Sequence, residues 1–140
     1  MTPKEYLMQY RALDRRIQGL TDERMRWEAL ARSCTPSYGG SGGGTPSANK
    51  IPHAVEKITE LEAEIDAEVD KLVELRREIE RTIASVPSDV QRQVLEQRYL
   101  NQKKWEQIAV DMRIDLRWIY RLHGRALKNL TIESHYRPVL

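Results

Sequence analysis

Between His53 and Val86 an apolar residue returns at every seventh position, as Ile58, Ile65, Leu72, Ile79 and Val86, with Leu61, Val69, Leu75 and Ile83 set between them. An apolar recurrence of this period, sustained over four heptads, marks a long helix that buries one narrow seam against another helix. A segment of this kind cannot close a core on itself, so the chain is committed to helix-on-helix packing. The preceding stretch supplies a partner. From Thr2 and Pro3 to about Arg32 no further proline intervenes, and Tyr6, Tyr10, Leu13, Ile17, Leu20 and Trp27 recur at spacings of four, three, four, three and seven, which is one stripe of a helix. Gly19 weakens that helix by roughly 1 kcal/mol relative to alanine. At about 1.5 Å per residue each helix would be roughly 45–50 Å long.

Charge favours pairing the two. Residues 53–86 carry 10 Asp/Glu against 5 Lys/Arg, whereas residues 1–52 carry 8 Lys/Arg against 5 Asp/Glu. The expected arrangement over residues 1–86 is a long antiparallel helical hairpin of coiled-coil type. A long apolar stripe can also meet a second copy of itself, so a homo-oligomer is expected, with a dimer favoured. The connector, residues 33–52 (SCTPSYGGSGGGTPSANKIP), is dominated by Ser, Thr, Pro and Gly and buries too little surface to offset the entropy of ordering it. Its GGSGGG run is a poor phosphate-cradling loop, because no Gly-Lys-Ser/Thr follows it and no strand precedes it.

With 31% charged residues, 40% apolar residues and no Phe, the composition suits packed helices better than one thick core. The net charge of +2 hides an asymmetry: residues 1–86 hold 13 Lys/Arg against 15 Asp/Glu, and residues 87–140 hold 10 against 6. The basic surplus therefore lies at the C-terminal end, where a polyanion can be met. Cys34 is the single cysteine, so no intramolecular disulfide forms, and with no Cys or His at ligand spacing around it no metal site is expected. The opening MTPKEYLMQY lacks the apolar stretch of roughly 7–15 residues of a signal peptide, and no later run approaches the ~20 needed to span a membrane. A soluble intracellular protein, without a membrane partner, is expected.

Val86-Pro87-Ser88 stops the second helix and offers Ser88 as the N-cap of another, DVQRQVLEQRYLN. There follows WEQIAVDMRIDLRWIYRLHGRALKNL, whose pattern fits two short helices crossed through a tight turn, over a domain spanning 87–140. Ala109 is the small residue such a crossing needs, with Ile108 before it, Met112 three residues later, Ile114 plugging the turn, and Ile119 and Leu122 on the buried face of the second helix. Asp115 stands where that helix should be capped, and Arg113 holds a turn position where glycine is commonest. Rotating about 100° per residue from Arg117, the residues Ile119, Leu122, Ala126 and Leu130 gather at roughly 140–220°, and Arg117, Arg121, Arg125 and Lys128 at roughly 0–80°. One face is core and the other a basic ridge.

A helix laid in the major groove brings its N-terminal residues to base edges, where arginine grips both acceptors of guanine. Arg117 and Arg121 are the expected base readers of double-stranded DNA, with Leu116 and Tyr120 beside them. Lys103, Lys104, Arg113 and Arg125 suit phosphates, which add salt-dependent affinity without sequence choice. Gly124 removes a side chain near the ridge, and Trp105 and Trp118 read as packing at the edge of the motif rather than stacking on bases.

The stretch VLEQRYLNQKKWEQIAVDMRIDLRWIYRLHGRAL resembles the fourth conserved region of bacterial sigma factors. Taken with YLMQYRALDRRI, the Gly-rich linker and ELEAEIDAEVDKLVELRREI, the whole chain resembles a phage and prophage family of unknown function from Gram-positive bacteria, related to phage late-transcription regulators. The resemblance implies an all-α protein in which the hairpin precedes a sigma region-four-like helix-turn-helix, acting as a phage-type transcriptional regulator on DNA. RNA polymerase is a further partner it implies. There is no room for the regions with which a complete sigma factor melts DNA and binds the polymerase clamp. Two other readings compete: a small terminase-like recognition subunit of DNA packaging, and an adaptor that contacts RNA polymerase and hardly needs DNA.

No catalytic residue and no cofactor is expected. His53, His123 and His135 have no carboxylate or thiol partner at readable spacing, and the carboxylates of the second helix repeat on a face that solvation explains.

Overall fold

Thr2 and Glu5 open the first helix with reciprocal bonds: the Thr2 amide donates to Glu5 Oε2 at 2.9 Å, and the Glu5 amide donates to Thr2 Oγ1 at 3.2 Å. This satisfies two amides at a helix start, and Pro3 sits at the first helical position, where its missing N–H costs nothing. The computed structural model describes residues 1–33 and 47–132. Within them every regular element is helical: α1 (Pro3–Ser33), α2 (Ser47–Ala84), α3 (Asp89–Leu95), a π-helical turn (Glu96–Leu100), α4 (Trp105–Met112) and α5 (Leu116–Asn129). Residues 34–46 of the expected connector, Cys34 among them, and the tail with His135 lie outside the described residues. None of the described helices is long and apolar enough to cross a membrane.

α2 starts six residues earlier than the heptad pattern implies, at Ser47 rather than His53, and carries Pro52 inside it. Pro52 is the sixth residue of this helix, where it removes the bond its N–H would make to the Ala48 carbonyl, so the helix runs on through a residue that disfavours it. The chain divides into two compact units, one made of Met1–Asp14 with the chain from Lys71 onward, the other of Arg15–Asp70. Both α1 and α2 contribute to each unit.

In the second of these units Leu61 and Ile65 are buried, with Ala54 beside them in the sequence of α2, while Ile17, Leu20 and Trp27 of α1 are half-buried. Arg16 reaches Glu64 and Glu68, each at 3.5 Å, and Trp27 meets His53 edge to face with ring centroids 5.5 Å apart. As α1 advances from Arg16 to Trp27, its partners on α2 retreat from Glu68 to His53. Not all of the heptad seam is covered, since Val69 is 38% exposed.

In the other unit Tyr6, Leu7, Tyr10 and Leu13 are buried, as are Leu75, Ile79, Ile83 and Val86. Tyr6 Oη lies 3.1 Å from Thr82 Oγ1, and Arg76 Nη1 donates to Tyr10 Oη at 2.9 Å. Ser88 caps α3, its hydroxyl accepting from the Gln91 amide at 3.4 Å. Arg92 closes the same corner by donating to the carbonyls of Val86 (2.7 Å) and Pro87 (3.2 Å) and to Asp89. The helix begun at Asp89 then widens into the π-helical turn, a one-residue adjustment that re-aims the side chains after it.

Candidate nucleic-acid interface

The C-terminal helices are held by one small core. Val94 of α3, Ile108 of α4, and Ile119 and Leu122 of α5 are buried together, with Trp105, Ala109, Met112 and Ile114 packed against them. The six positions singled out by spacing thus fall in a single cluster. Ala126 and Leu130 continue the buried stripe of α5, and Asn129 Nδ2 ties its end to Gln91 Oε1 of α3 at 2.9 Å.

The turn between α4 and α5 is closed by backbone bonds. Arg113 adopts a left-handed conformation (φ 56°, ψ 42°), its amide donating to the Val110 carbonyl at 3.2 Å, and the Ile114 amide donates to the Ala109 carbonyl at 3.0 Å. This is the Schellman arrangement, in which a residue past the helix end turns left-handed and the next packs back onto the last turn. Ile114 does so within the core cluster. A non-glycine residue pays for that conformation, so Arg113 is strained where the sequence suggests glycine. Asp115 occupies the cap position of α5, but its side chain makes no capping bond; its carbonyl accepts from the Ile119 amide at 2.9 Å.

The outward face of α5 carries Arg117, Arg121, Arg125 and Lys128, all exposed. Among the described residues none of these four is paired with a carboxylate, and Arg113 is likewise exposed and unpaired. Tyr120 is 47% exposed and meets the Trp105 ring edge-on at 5.5 Å. Leu116 is half-buried and by helical rotation lies off the ridge. A Cβ added to Gly124 would meet open space, so nothing in the fold itself requires glycine there.

The cations ahead of α4 differ from one another. Lys104 is exposed at the N-cap position of α4. Lys103 is half-buried and engaged by neighbours, its Nζ donating to Asp111 at 2.9 Å and to Gln97 at 3.4 Å. The hydrogen bonds from Lys103 and from Gln107 hold the Asp111 carboxyl below the usual carboxylate range.

Sequence reasoning missed a cluster behind the ridge. The Arg98 guanidinium lies 4.6 Å from the centroid of the Trp105 ring and donates to the Lys103 carbonyl at 3.0 Å. Trp105 meets His123 edge-on at 4.5 Å, and His123 Nε2 lies 2.6 Å from Tyr99 Oη. Burial, with lesser contributions from Lys4 and Arg98, pushes the His123 imidazole down to about 4; burial pushes the Tyr99 phenol up to about 12. Both rings are therefore neutral near pH 7. The signal was present as an aromatic or His at Tyr99, Trp105 and His123, but the spacing does not reveal that the three converge. Gln102 was missed as well. It takes a left-handed φ of 56° and donates to Asp14 Oδ2 at 2.9 Å, fastening the loop before α4 to α1.

Trp118 departs from the expected packed position. It is 40% exposed, with the guanidinium groups of Arg121 and Arg125 lying 5.9 and 5.3 Å from its ring centroid. Among the described residues no group of three His, Cys, Asp or Glu is placed to hold a metal ion. The chain matches no protein-family model, no curated protein and no solved structure.

Proposed function

We propose that this chain is a double-stranded DNA-binding protein whose α4 and α5 form a helix-turn-helix of the sigma region-four type, with α5 as the helix that enters the major groove. The observation that carries the reading is the two-faced character of α5. Ile119, Leu122, Ala126 and Leu130 are buried, while Arg117, Arg121, Arg125 and Lys128 stand exposed and without carboxylate partners among the described residues. Four cations without carboxylate partners among the described residues, on one helical face, form a surface suited to phosphates and guanine edges. Arg117 and Arg121 read bases near the start of the helix; Arg113, Arg125 and Lys104 contact phosphates.

In this reading the protein is a phage-type transcriptional regulator without enzymatic activity. Its α1 and α2 form an antiparallel hairpin of coiled-coil type that sets the oligomeric state and the half-site spacing. The retreat of α2 partners as α1 advances, and the exposed valines left on α2, support that assignment.

Selection of bound duplexes from a random pool, repeated at two salt concentrations, tests the proposal. A consensus that disappears in an Arg117→Ala, Arg121→Ala variant is the expected outcome. Unchanged binding by that variant sinks the reading. A dimer on a palindromic site is expected by sedimentation, whereas a ring-like assembly would replace regulation by DNA packaging.

A further inference from the structure

Trp118 is a large apolar side chain on a face that is otherwise basic. It is 40% exposed and contributes nothing to the small core, unlike Trp105, which packs against that core. Its neighbours are the two arginines three and seven residues further on, positions that a helix brings onto the same flank. Their guanidinium groups lie 5.9 and 5.3 Å from the indole centroid, within the range where a cation is attracted to the face of a tryptophan ring.

An exposed arginine samples many rotamers, and holding it against a ligand costs the entropy of that freedom. A ring that already gathers two of them removes part of this cost before a ligand arrives. We infer that Trp118 is a positioning residue of the nucleic-acid face: its indole holds Arg121 and Arg125 as an ordered pair aimed at a DNA duplex. The inference rests on the DNA-binding reading above and deepens it, because it explains why an aromatic residue occupies an exposed position among the cations of α5. Trp105 plays the structural counterpart, stacked with Arg98 whose head is spent on the Lys103 carbonyl. Arg121 and Arg125 have no such bond among the described residues, so their heads remain available.

The test compares the full-length protein with Trp118→Ala, Trp118→Phe and the double variant Arg121→Ala, Arg125→Ala. In the free protein, NMR of the arginine side chains should show ring-current shifts at Arg121 and Arg125 that vanish in Trp118→Ala and persist in part in Trp118→Phe. Fluorescence anisotropy with a labelled duplex should show Trp118→Ala binding about tenfold more weakly, with the salt dependence unchanged because no charge is lost. Trp118→Phe should recover most of the affinity. The double arginine variant should instead flatten the salt dependence by about one phosphate contact, that of Arg125, and weaken the sequence preference read by Arg121. Equal affinity of wild type and Trp118→Ala overturns the inference. So does weaker binding with the arginine shifts intact, which would make the indole a direct DNA contact. Arginine shifts in a wild-type protein that binds no duplex overturn the DNA-binding reading itself, and this role with it.

Discussion

Tyr99 Oη and His123 Nε2 stand 2.6 Å apart, joining the π-helical turn to the middle of α5 through a hydrogen bond between two neutral rings. The imidazole is held neutral by burial, which lowers it from 6.5 to about 4, and the phenol by burial, which raises it from 10.0 to about 12. The helix that presents the basic ridge is thus fastened from behind by a contact between two groups that burial keeps uncharged near pH 7.

Stability should follow from this with a definite sign. Below pH 6.5 the unfolded chain takes up a proton on His123 that the folded chain refuses until about pH 4, so this contribution is complete above 6.5 and lost as pH falls to 4. Since water reaches the half-buried ring, the loss should be about 1–2 kcal/mol rather than the full value of the shift. Urea midpoints at pH 7 and pH 4.5 should show the drop, and His123→Asn should flatten it. An unchanged pH dependence in that variant would place the effect elsewhere. At the alkaline end Tyr99 acts oppositely, its contribution declining as pH rises from 10.0 toward about 12.

Arg113→Gly should stabilise the protein. Its φ of 56° lies where glycine carries no Cβ penalty, and the exposed side chain makes no ion pair among the described residues. Relief of backbone strain outweighs the extra freedom glycine gives the unfolded chain, for a net gain of about 0.5–1 kcal/mol in chemical denaturation. DNA affinity should fall at the same time, with a shallower salt dependence, because one phosphate-facing charge is gone. A variant that is both less stable and equally tight would contradict the assignment of this turn.

Asp111→Asn should strengthen DNA binding. The carboxylate holds Lys103 at 2.9 Å, so removing its charge releases the ammonium and subtracts a negative charge near α4. Affinity measured against ionic strength should rise at low salt, with a slope steeper by about one contact. If the slope is unaltered, Lys103 does not reach a phosphate even when free.

Ile119→Ala should cost about 3 kcal/mol, because the side chain is fully buried at the crossing of α4 and α5. Thermal denaturation would register the loss directly. Arg117→Ala, by contrast, should leave the midpoint within about 0.5 kcal/mol, since the residue is exposed and unpaired among the described residues.

Much of this was legible in the sequence. The long helices, the Ser88 cap, the Ala109, Met112 and Ile114 packing and the two faces of α5 all follow from periodicity and from residues that act on their immediate neighbours. Position alone also marked Arg113 as standing where a turn favours glycine, and its φ is positive. The start of α2 was not legible because Pro52 reads as a boundary, while the helix begins five residues before it at Ser47. The π-helical turn left no readable mark, since one extra residue per turn disturbs a helical pattern too little over so short a span.

What the sequence by itself determined was that the chain would be helical over these long stretches and which face of α5 would be buried, because both depend on a local period. The tertiary structure alone decided which charges would be spent and which would stay free. Arg92 is consumed by the Val86 and Pro87 carbonyls, Arg98 by Trp105 and the Lys103 carbonyl, and Lys103 by Asp111. Arg117, Arg121 and Arg125 carry the same kind of charge and, among the described residues, meet no carboxylate or carbonyl. The difference arises from how the turns around α3 and α4 fold groups five to eight residues apart to within about 3 Å, an approach that helical periodicity does not reveal.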